Sequence, residues 1–304
     1  MKFRQLGSTP LKVSSIGMGC VTFGREIDET TSFEVLDRAH EHGINLYDTA
    51  EAYAQGSSET VLGKWIADRG IRDDIVLATK LIGPLTKERV VSAAEASLRR
   101  LQTDVIDLYQ LHVWDAETPL EETLDGLSTL VKAGKVRYIG CSNWSAWQLA
   151  KSLLLSQASG FEKMQSVQPA YNLVQREIEP DLLPLCRDQD VGVLSYSPLG
   201  AGFLTGKYGR GDRIPEGTRF DVIPAHQPIY FHEQGYSTLG RLDQVQQKTG
   251  HSMISLALAW VLHQSNVTSM LIGARNTEQV DQAFDAEKIE LDAATWKSLT
   301  ESCE

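Results

Sequence analysis

A tyrosine and three polar side chains in the first part of the chain have the types and spacing of an acid–base site. Each polar residue directly follows an apolar run: Asp48 after residues 44–47, Lys80 after 75–79 and His112 after 105–111. Tyr53 lies in the connection after Asp48. A phenol with its ordinary pKa of about 10 is a poor acid near neutrality, so Tyr53 becomes useful for proton transfer only beside a cation such as Lys80.

The elements that must position these residues repeat a strand–helix unit. The predicted strands are residues 15–19, 44–47, 75–79, 105–111, 136–141, 164–168, 191–195 and 268–272, and the predicted helices are 30–42, 59–68, 87–100, 120–133, 146–157 and 293–302. Strands that are apolar almost throughout indicate a parallel sheet covered on both faces. About eight units predict an α/β fold of the closed (β/α)8 TIM-barrel type, which brings the strand ends to one rim.

Three other segments complete the predicted fold. Residues 3–6 and 11–13 flank Gly7 to Pro10 and predict an N-terminal β-hairpin. Residues 56–59 predict a helix start capped by Ser57 or Ser58. Residues 200–235 have no clear periodicity and predict a long loop after strand 7 that folds as a lid over the active rim.

One barrel domain, residues 1–304, accounts for the length of the chain. An open doubly wound sheet is the main alternative for the fold. That fold would normally show a glycine fingerprint after its first strand, whereas the glycines at residues 200–206 come late and have the wrong spacing.

Composition limits the classes of partner. The formal net charge of −11 disfavours nucleic-acid binding, although a local basic pocket can still hold an anionic cofactor. No apolar stretch is long enough to span a membrane, and residues 1–5 lack a signal-peptide core, so a cytoplasmic location is expected. No metal site is predicted. Cys20, Cys141, Cys186 and Cys303 are widely spaced and are expected to be reduced, mostly buried thiols.

The ordered set Asp48, Tyr53, Lys80 and His112, with its flanking residues, resembles the catalytic set of the aldo-keto reductase superfamily. The resemblance extends from residues 4–7 to residues 273–276 and implies a barrel whose bottom is closed by the hairpin. It also implies carbonyl reduction, with Tyr53 as the general acid that protonates the oxygen. Lys80 would lower the pKa of Tyr53, and Asp48 would fix the Lys80 ammonium. His112 would orient the carbonyl or assist proton transfer.

The resemblance further implies a nicotinamide cofactor bound at later strand ends. The residues that match the family's nicotinamide contacts are Ser142, Asn143, Gln168 and Tyr196. The three amide-binding residues would hold the carboxamide, and the tyrosine would stack on the ring. A helix cap at residues 142–143 and ordinary core packing of Tyr196 are the structural alternatives. Residues 197–202 are similar to the family's pyrophosphate loop, where the matching residues are Ser197, Leu199 and Gly202.

Residues 273–279 end a strand and open a helix, so backbone amides and one guanidinium would meet a phosphate there. The residues assigned to this site are Gly273, Arg275 and Gln279. Arg275 is suited to a 2′-phosphate, which favours NADP(H) over NAD(H). Many family members carry a Glu-Asn pair further along this helix, whereas this chain has Gln282 and Ala283, so Gln282 alone offers an amide to adenine.

The favoured prediction is NADP-dependent reduction of a small aldehyde or ketone, with alcohol oxidation as the reverse reaction. Taken singly, each catalytic candidate also has a structural explanation as a loop aromatic, a turn former, a solvated strand end or a buried histidine. Two other functions stay open. One is a cofactor-binding regulatory subunit resembling potassium-channel beta subunits. The other is an aldolase that uses Lys80 as a Schiff-base amine. Trp114 and Trp144 are candidates for core packing or for the substrate wall, and the sequence predicts neither the substrate nor the oligomeric state.

Overall fold

The structure, a computed structural model that describes residues 1–211 and 213–301, is built on a closed barrel of parallel strands. An antiparallel hairpin of β1 (Phe3–Gln5) and β2 (Lys12–Ser14) comes first. The barrel strands are β3 (Ile16–Gly19), β4 (Leu46–Asp48), β5 (Val76–Leu81), β6 (Ile106–Leu111), β7 (Val136–Ser142), β8 (Met164–Gln168), β9 (Gly192–Ser195) and β10 (Ser269–Gly273). Each pairs in parallel with the next, and β10 closes on β3 with Met270 opposite Ile16. The predicted (β/α)8 barrel with its hairpin is therefore confirmed, and the open sheet is wrong.

Helices follow the strands. Their bounds are α1 (Glu29–Glu41), α2 (Ser57–Arg69), α3 (Lys87–Leu101), α4 (Leu120–Lys132), α5 (Ala146–Ser159), α6 (Leu182–Asp188), α7 (Arg219–Val222), α8 (Gln227–Tyr230), α9 (Glu233–Thr249), α10 (Met253–Leu262), α11 (Thr277–Ala286) and α12 (Ala293–Thr300). The predicted helices are confirmed, except that the expected end of the last one, Ser302, lies outside the described residues. Helices α6, α9 and α10 were not predicted. Nearly all of α10 is buried, so its sequence shows no amphipathic period.

The start of α2 differs from the prediction. Neither Ser57 nor Ser58 caps the helix, because the N-cap position is Gly56 in a left-handed conformation, with no capping side chain. Ser58 is buried and instead donates its hydroxyl to Cys20 O (2.7 Å). Tyr53 begins a separate 3-10 turn, Tyr53–Gly56, so it lies in a βα connection as expected.

The barrel interior changes from apolar to polar along its strands. Its lower layer consists of Leu46, Val76, Ala78, Leu108, Leu194 and Leu271. Side chains alternate between the two faces of a strand, so a residue two positions further on lies on the same face. Two positions after Leu46, Ala78 and Leu108 come three buried polar residues, Asp48, Lys80 and Gln110. The barrel thus has an apolar floor and a polar top.

The hairpin closes the N-terminal end of the barrel. Leu6 and Val13 belong to the same apolar cluster as the lower barrel layer. Arg4 in β1 donates through its guanidinium to Leu262 O (2.8 Å) at the end of α10 and to Val267 O (2.5 Å) before β10. The hairpin is therefore anchored at the end opposite Asp48 and Lys80.

The predicted long connection after β9 is present, and it contains short helical elements, while its role as a lid stays a prediction. It contains the 3-10 turns Gly200–Thr205 and Pro224–His226 as well as α7 and α8, and α9 begins at Glu233. Six aromatic rings in and beside this connection contact one another: Phe203, Tyr208, Phe220, Tyr230, Phe231 and Tyr236. Local aromatic packing, which has no helical or strand period, explains why the sequence pattern did not reveal this order.

Cys20, Cys141 and Cys186 are buried free thiols, as expected, whereas Cys303 lies outside the described residues. Among the helices of the described residues, none combines the length and the apolar character needed to cross a bilayer.

Candidate active site

Asp48, Lys80 and Tyr53 meet at the C-terminal rim of the barrel. Lys80 Nζ donates to Asp48 Oδ2 (2.5 Å) and Thr49 O (2.8 Å), and it lies 3.3 Å from Tyr53 Oη. Lys80 is 0% exposed and Asp48 is 2% exposed. An ammonium has three N–H donors, and here three oxygens surround it. The phenol is therefore held directly on a buried, charge-paired cation.

Two glutamine amides hold the other oxygen of Asp48. Gln110 Nε2 (3.0 Å) and Gln168 Nε2 (2.9 Å) both donate to Asp48 Oδ1. Gln110, on β6, was not predicted. It lies two positions before His112, and because side chains alternate between the two faces of a strand, this spacing was a usable signal. Gln168 was expected at the nicotinamide carboxamide. The structure places its amide on the carboxylate of the candidate catalytic set.

Lys80 lowers the pKa of Tyr53, as expected, but this effect does not decide the net direction of the shift. Burial raises the pKa of Tyr53, and this effect together with nearby Asp48 outweighs the opposing effect of Lys80. For Lys80, burial alone would lower the pKa, but Asp48 and Tyr53 raise it above the ordinary value. Tyr53 is therefore a protonated phenol and Lys80 a charged ammonium at neutral pH.

His112 lies beside Tyr53 as a neutral imidazole. The two ring centroids are 5.7 Å apart in an edge-on arrangement. Burial, and then the charge of Lys80, lower the pKa of His112 to about 4. Its Nδ1 atom is buried without a hydrogen-bond partner among residues 1–211 and 213–301. Near neutral pH, this histidine can offer a hydrogen bond but no positive charge.

The residues expected at the nicotinamide form one connected group. Tyr196 Oη donates to Asn143 Oδ1 (2.7 Å), and Asn143 Nδ2 donates to Ser142 Oγ (3.1 Å). Ser142 Oγ in turn donates to Gln168 O (2.8 Å). Because Gln168 also contacts Asp48, this group is continuous with the catalytic candidates.

The structural alternative for residues 142–143 is wrong. Helix α5 is capped by Ser145, whose side chain forms a capping box with Gln148. Asn143 precedes this cap in a left-handed conformation (φ 59°), and its Nδ2 also donates to His112 O (3.0 Å). Asn143 therefore links two strand ends instead of starting the helix.

The loop expected at a pyrophosphate turns sharply after β9. Ser197 (φ 55°) and Gly202 (φ 92°) are left-handed, and Gly202 N donates to Leu199 O (3.0 Å). A Cβ atom on Gly202 would lie 3.5 Å from Lys207 Nζ. The loop therefore has an ammonium beside its glycine, and Lys207 was not among the predicted residues.

Three cations gather between this loop and β10. The pKa of Lys207 is lowered by burial and then by Arg275, and the pKa of Arg219 is lowered by burial, with Arg25 and Arg275 adding to the effect. Arg219 has a carboxylate partner, Glu26, at 3.3 Å. Within the described part of the chain, neither Lys207 nor Arg275 forms an ion pair. Such a cluster has the charge to bind an anionic group.

Arg275, just before α11, contacts both Gln279 and the long connection after β9. Gln279 Oε1 accepts from Arg275 N (2.9 Å), and Arg275 Nη1 lies 3.5 Å from Gly217 O in the long connection. Gly273 ends β10 and is exposed. Gln282 lies further along the helix, where its Nε2 donates to Glu278 Oε1 (3.4 Å). Arg275 therefore joins the rim to the connection that carries Lys207 and Arg219.

Trp114, two residues after His112 in the chain, packs against two other tryptophan rings. The ring centroid of Trp114 is 4.7 Å from that of Trp144 and 5.5 Å from that of Trp147. Trp144 is only 3% exposed and belongs to the core, whereas Trp147 is 61% exposed. Trp144 therefore packs inside, and Trp114 is the partly buried ring between it and the surface.

The fold and the geometry define a (β/α)8-barrel protein with a buried carboxylate, ammonium and phenol at the rim where barrel enzymes carry their active sites. The profile of the aldo/keto reductase family matches residues 15–304. The chain therefore belongs to the aldo/keto reductase family and is an oxidoreductase by family. Members of this family generally use nicotinamide cofactors and act on small-molecule carbonyl substrates.

Individual relatives align over nearly their full lengths. The uncharacterized oxidoreductase YrpG of Bacillus subtilis (strain 168) is 34% identical, over 99% of this chain and 95% of the relative. The aldo-keto reductase YhdN of the same organism is 36% identical, over 92% and 87%. A probable voltage-gated potassium channel subunit beta of Arabidopsis thaliana is 33% identical, over 94% and 91%.

Proposed function

We propose that this protein reduces an aldehyde or ketone to an alcohol with NADPH, and that Tyr53 is the proton donor. The observation that carries the proposal is the position of Lys80 Nζ, which contacts both the Asp48 carboxylate and the Tyr53 phenol in a buried site. A phenol that gives up its proton leaves a negative charge, and an adjacent ammonium stabilises that charge.

The roles of the side chains follow from their protonation states. The raised pKa of Tyr53 keeps its proton in place until negative charge grows on the carbonyl oxygen. Lys80 then faces the phenolate, while Asp48 holds the ammonium in position. His112, neutral because its pKa is about 4, orients the carbonyl oxygen by a hydrogen bond. In alcohol oxidation, the same residues act in the reverse order.

The cofactor assignment rests on two groups of residues. The reduced nicotinamide, when bound, supplies the hydride. The residues proposed to hold its ring and carboxamide are Ser142, Asn143, Gln168 and Tyr196. Those proposed for the phosphates and adenosine are Ser197, Leu199, Gly202, Lys207, Arg219, Gly273, Arg275, Gln279 and Gln282. NADPH is preferred over NADH in this proposal because Lys207 and Arg275 have no ion-pair partner in residues 1–211 and 213–301, and a 2′-phosphate adds the matching charge.

Titration with NADPH and, separately, with NADH tests the proposal, with binding followed by quenching of tryptophan fluorescence. We expect tight binding of NADPH and weak binding of NADH. Arg275→Ala should weaken the binding of NADPH about 10- to 100-fold and leave the binding of NADH almost unchanged. The reason is that a hydrogen bond to a charged group contributes about 1.5–3 kcal/mol. Arg187→Ala is the matched control, since Arg187 is exposed and contacts Asn266. Failure to bind either nucleotide would overturn the proposal.

A cofactor-binding regulatory subunit is the second candidate. It is supported by the Arabidopsis relative, which is described as a probable voltage-gated potassium channel subunit beta. A protein of this kind would bind NADPH through the same residues without needing turnover. Tight NADPH binding with no turnover across a panel of aldehydes, ketones and alcohols would favour this candidate over the reductase.

The aldolase alternative is disfavoured by the state of Lys80. A Schiff base forms from a neutral amine, whereas Asp48 and Tyr53 raise the pKa of Lys80 despite its burial. Borohydride trapping of a carbonyl compound on Lys80 is the direct test, and we expect no labelling at this position.

A further inference from the structure

The backbone that follows Tyr53 is in a strained conformation. Ala54 (φ 47°), Gln55 (φ 54°) and Gly56 (φ 87°) are consecutive left-handed residues. Residues with a Cβ atom disfavour the left-handed backbone conformation, and such strain persists only where the surrounding structure enforces it. Two buried, hydrogen-bonded residues that follow the turn, Ser58 and Glu59, are in a position to enforce it.

Ser58 is the first of these groups. Its hydroxyl donates to Cys20 O (2.7 Å) and lies 2.8 Å from Thr49 Oγ1. Cys20 directly follows β3, and Thr49 directly follows β4. Ser58 thus connects the first turn of α2 to two strand ends at the active rim. Thr49 is also the residue whose carbonyl oxygen accepts from Lys80.

Glu59 is the second group. It is 0% exposed, and its Oε1 accepts from Thr79 Oγ1 (2.6 Å) while its Oε2 accepts from Arg100 Nε (2.6 Å). Thr79 is the neighbour of Lys80 in β5. A Cβ atom on Gly56 would lie 2.8 Å from Arg100 Cδ, so the arginine that holds Glu59 also packs against the strained turn.

We propose that Ser58 and Glu59, supported by Arg100, are positioning residues that hold the Tyr53 hydroxyl against Lys80. Only four residues separate Tyr53 from Ser58, and three of them are left-handed. Such a short connection transmits the position of the anchored residues to the phenol. The positions of Tyr53 and Lys80 are then fixed relative to each other, because Glu59 accepts a hydrogen bond from Thr79, the residue next to Lys80.

Two matched pairs of variants separate positioning from general stability. Glu59→Gln is compared with Asp107→Asn, since Asp107 is also 0% exposed and also lies beside arginines, near the start of β6. Ser58→Ala is compared with Ser152→Ala, because Ser152 is also 0% exposed and donates to a backbone carbonyl, Leu149 O (2.8 Å). Neither Asp107 nor Ser152 belongs to the proposed catalytic or cofactor sites.

The first readout is the ¹³Cζ resonance of Tyr53 in ring-labelled protein, identified by its loss in Tyr53→Phe. The second is kcat with a carbonyl substrate, beside the Kd for NADPH. The resonance readout is independent of any reaction, whereas the kcat readout rests on the proposed reductase function. A wild-type protein without turnover would therefore count against the reductase proposal only, and the resonance would still decide the positioning role.

We expect Glu59→Gln and Ser58→Ala to shift the Tyr53 resonance, and their controls to leave it unchanged. In Glu59→Gln, kcat should fall about 10- to 100-fold at nearly unchanged NADPH affinity, as expected for a misplaced reacting group. If Glu59→Gln does not fold, the Ser58→Ala pair decides. A Tyr53 resonance that moves equally in variant and control, or in neither, would overturn the proposal.

Discussion

Two buried carboxylates lie at opposite ends of the barrel, and within residues 1–211 and 213–301 only one of them has a neighbour that can exchange a proton. Near the start of β6, Asp107 accepts from Leu77 N (2.8 Å) and has Arg72 and Arg137 nitrogen atoms at 2.8 Å. At the C-terminal rim, Asp48 accepts from Lys80 and two glutamine amides. Both carboxylates are almost completely buried.

The difference lies in the cation. A guanidinium stays charged at any ordinary pH, so Arg72 and Arg137 can only hold Asp107 in place. The Lys80 ammonium has a third partner, the Tyr53 phenol, and its field acts on a group that can lose a proton. Burial and charge pairing alone therefore do not indicate a reaction, whereas a titratable third partner does.

The largest expected effect is that of Tyr53→Phe. Removing the phenol hydroxyl should lower turnover by about 10²- to 10⁴-fold, the usual contribution of a general acid, with NADPH affinity nearly unchanged. The measurements are kcat and the fluorescence titration. Tyr47→Phe is the control, because the Tyr47 hydroxyl is also buried and donates to a backbone carbonyl oxygen, Ile44 O (3.1 Å). Turnover that survives in Tyr53→Phe would remove Tyr53 from its proposed role.

Lys80→Met should damage both stability and turnover. The variant leaves Asp48 without its cation in a buried site, which costs about 3–5 kcal/mol in the free energy of unfolding. Turnover should be lost because the phenolate has no charge partner. Denaturant unfolding and kcat measure the two effects.

Asp107→Asn is the comparison for Lys80→Met and should lower the free energy of unfolding without lowering kcat of the folded protein. If Asp107→Asn abolished turnover as Lys80→Met is expected to do, the contrast between the two ends of the barrel would be wrong.

His112 should make stability depend on pH at the rim. Its pKa is about 4 in the folded protein and about 6.5 when unfolded, so unfolding takes up a proton between these values. The contribution of neutral His112 to the free energy of unfolding is fully present above about pH 6.5. It is lost as the pH falls towards 4, which lowers the free energy of unfolding by at most about 3 kcal/mol. Urea unfolding of wild type and His112→Gln from pH 7 to 4 measures it. Equal losses of stability in the two proteins would contradict the low pKa.

Arg137→Met should have the smallest effect. The Arg137 side chain is 54% exposed, and Asp107 keeps its contacts with Arg72 and Leu77 N. We expect a loss of about 1 kcal/mol or less in unfolding free energy and no change in kcat. Thermal unfolding and turnover of the variant measure this, and a clear loss of kcat would mean that the lower end of the barrel also affects the reaction.

Much of the candidate site could be predicted because strand ends are local features. An apolar run followed by Asp48, Lys80 or His112 is visible in the chain, and parallel strands bring their carboxyl ends to one rim. Gln110 was within reach of the same argument, since it precedes His112 by two positions. Lys207 and Arg219 were not, because they lie in a connection without a regular period.

The sequence by itself determined the barrel, its hairpin and the strand ends that carry the polar residues. The alternation of apolar runs and amphipathic helical segments is a local property of the sequence, so it can be recognised without knowledge of long-range contacts. Only the tertiary structure decided the hydrogen bonds of Asp48, the direction of the Tyr53 pKa shift and the contacts that Ser58 and Glu59 make with the strand ends. These depend on burial and on distances between residues remote in the chain, and no local pattern encodes either quantity.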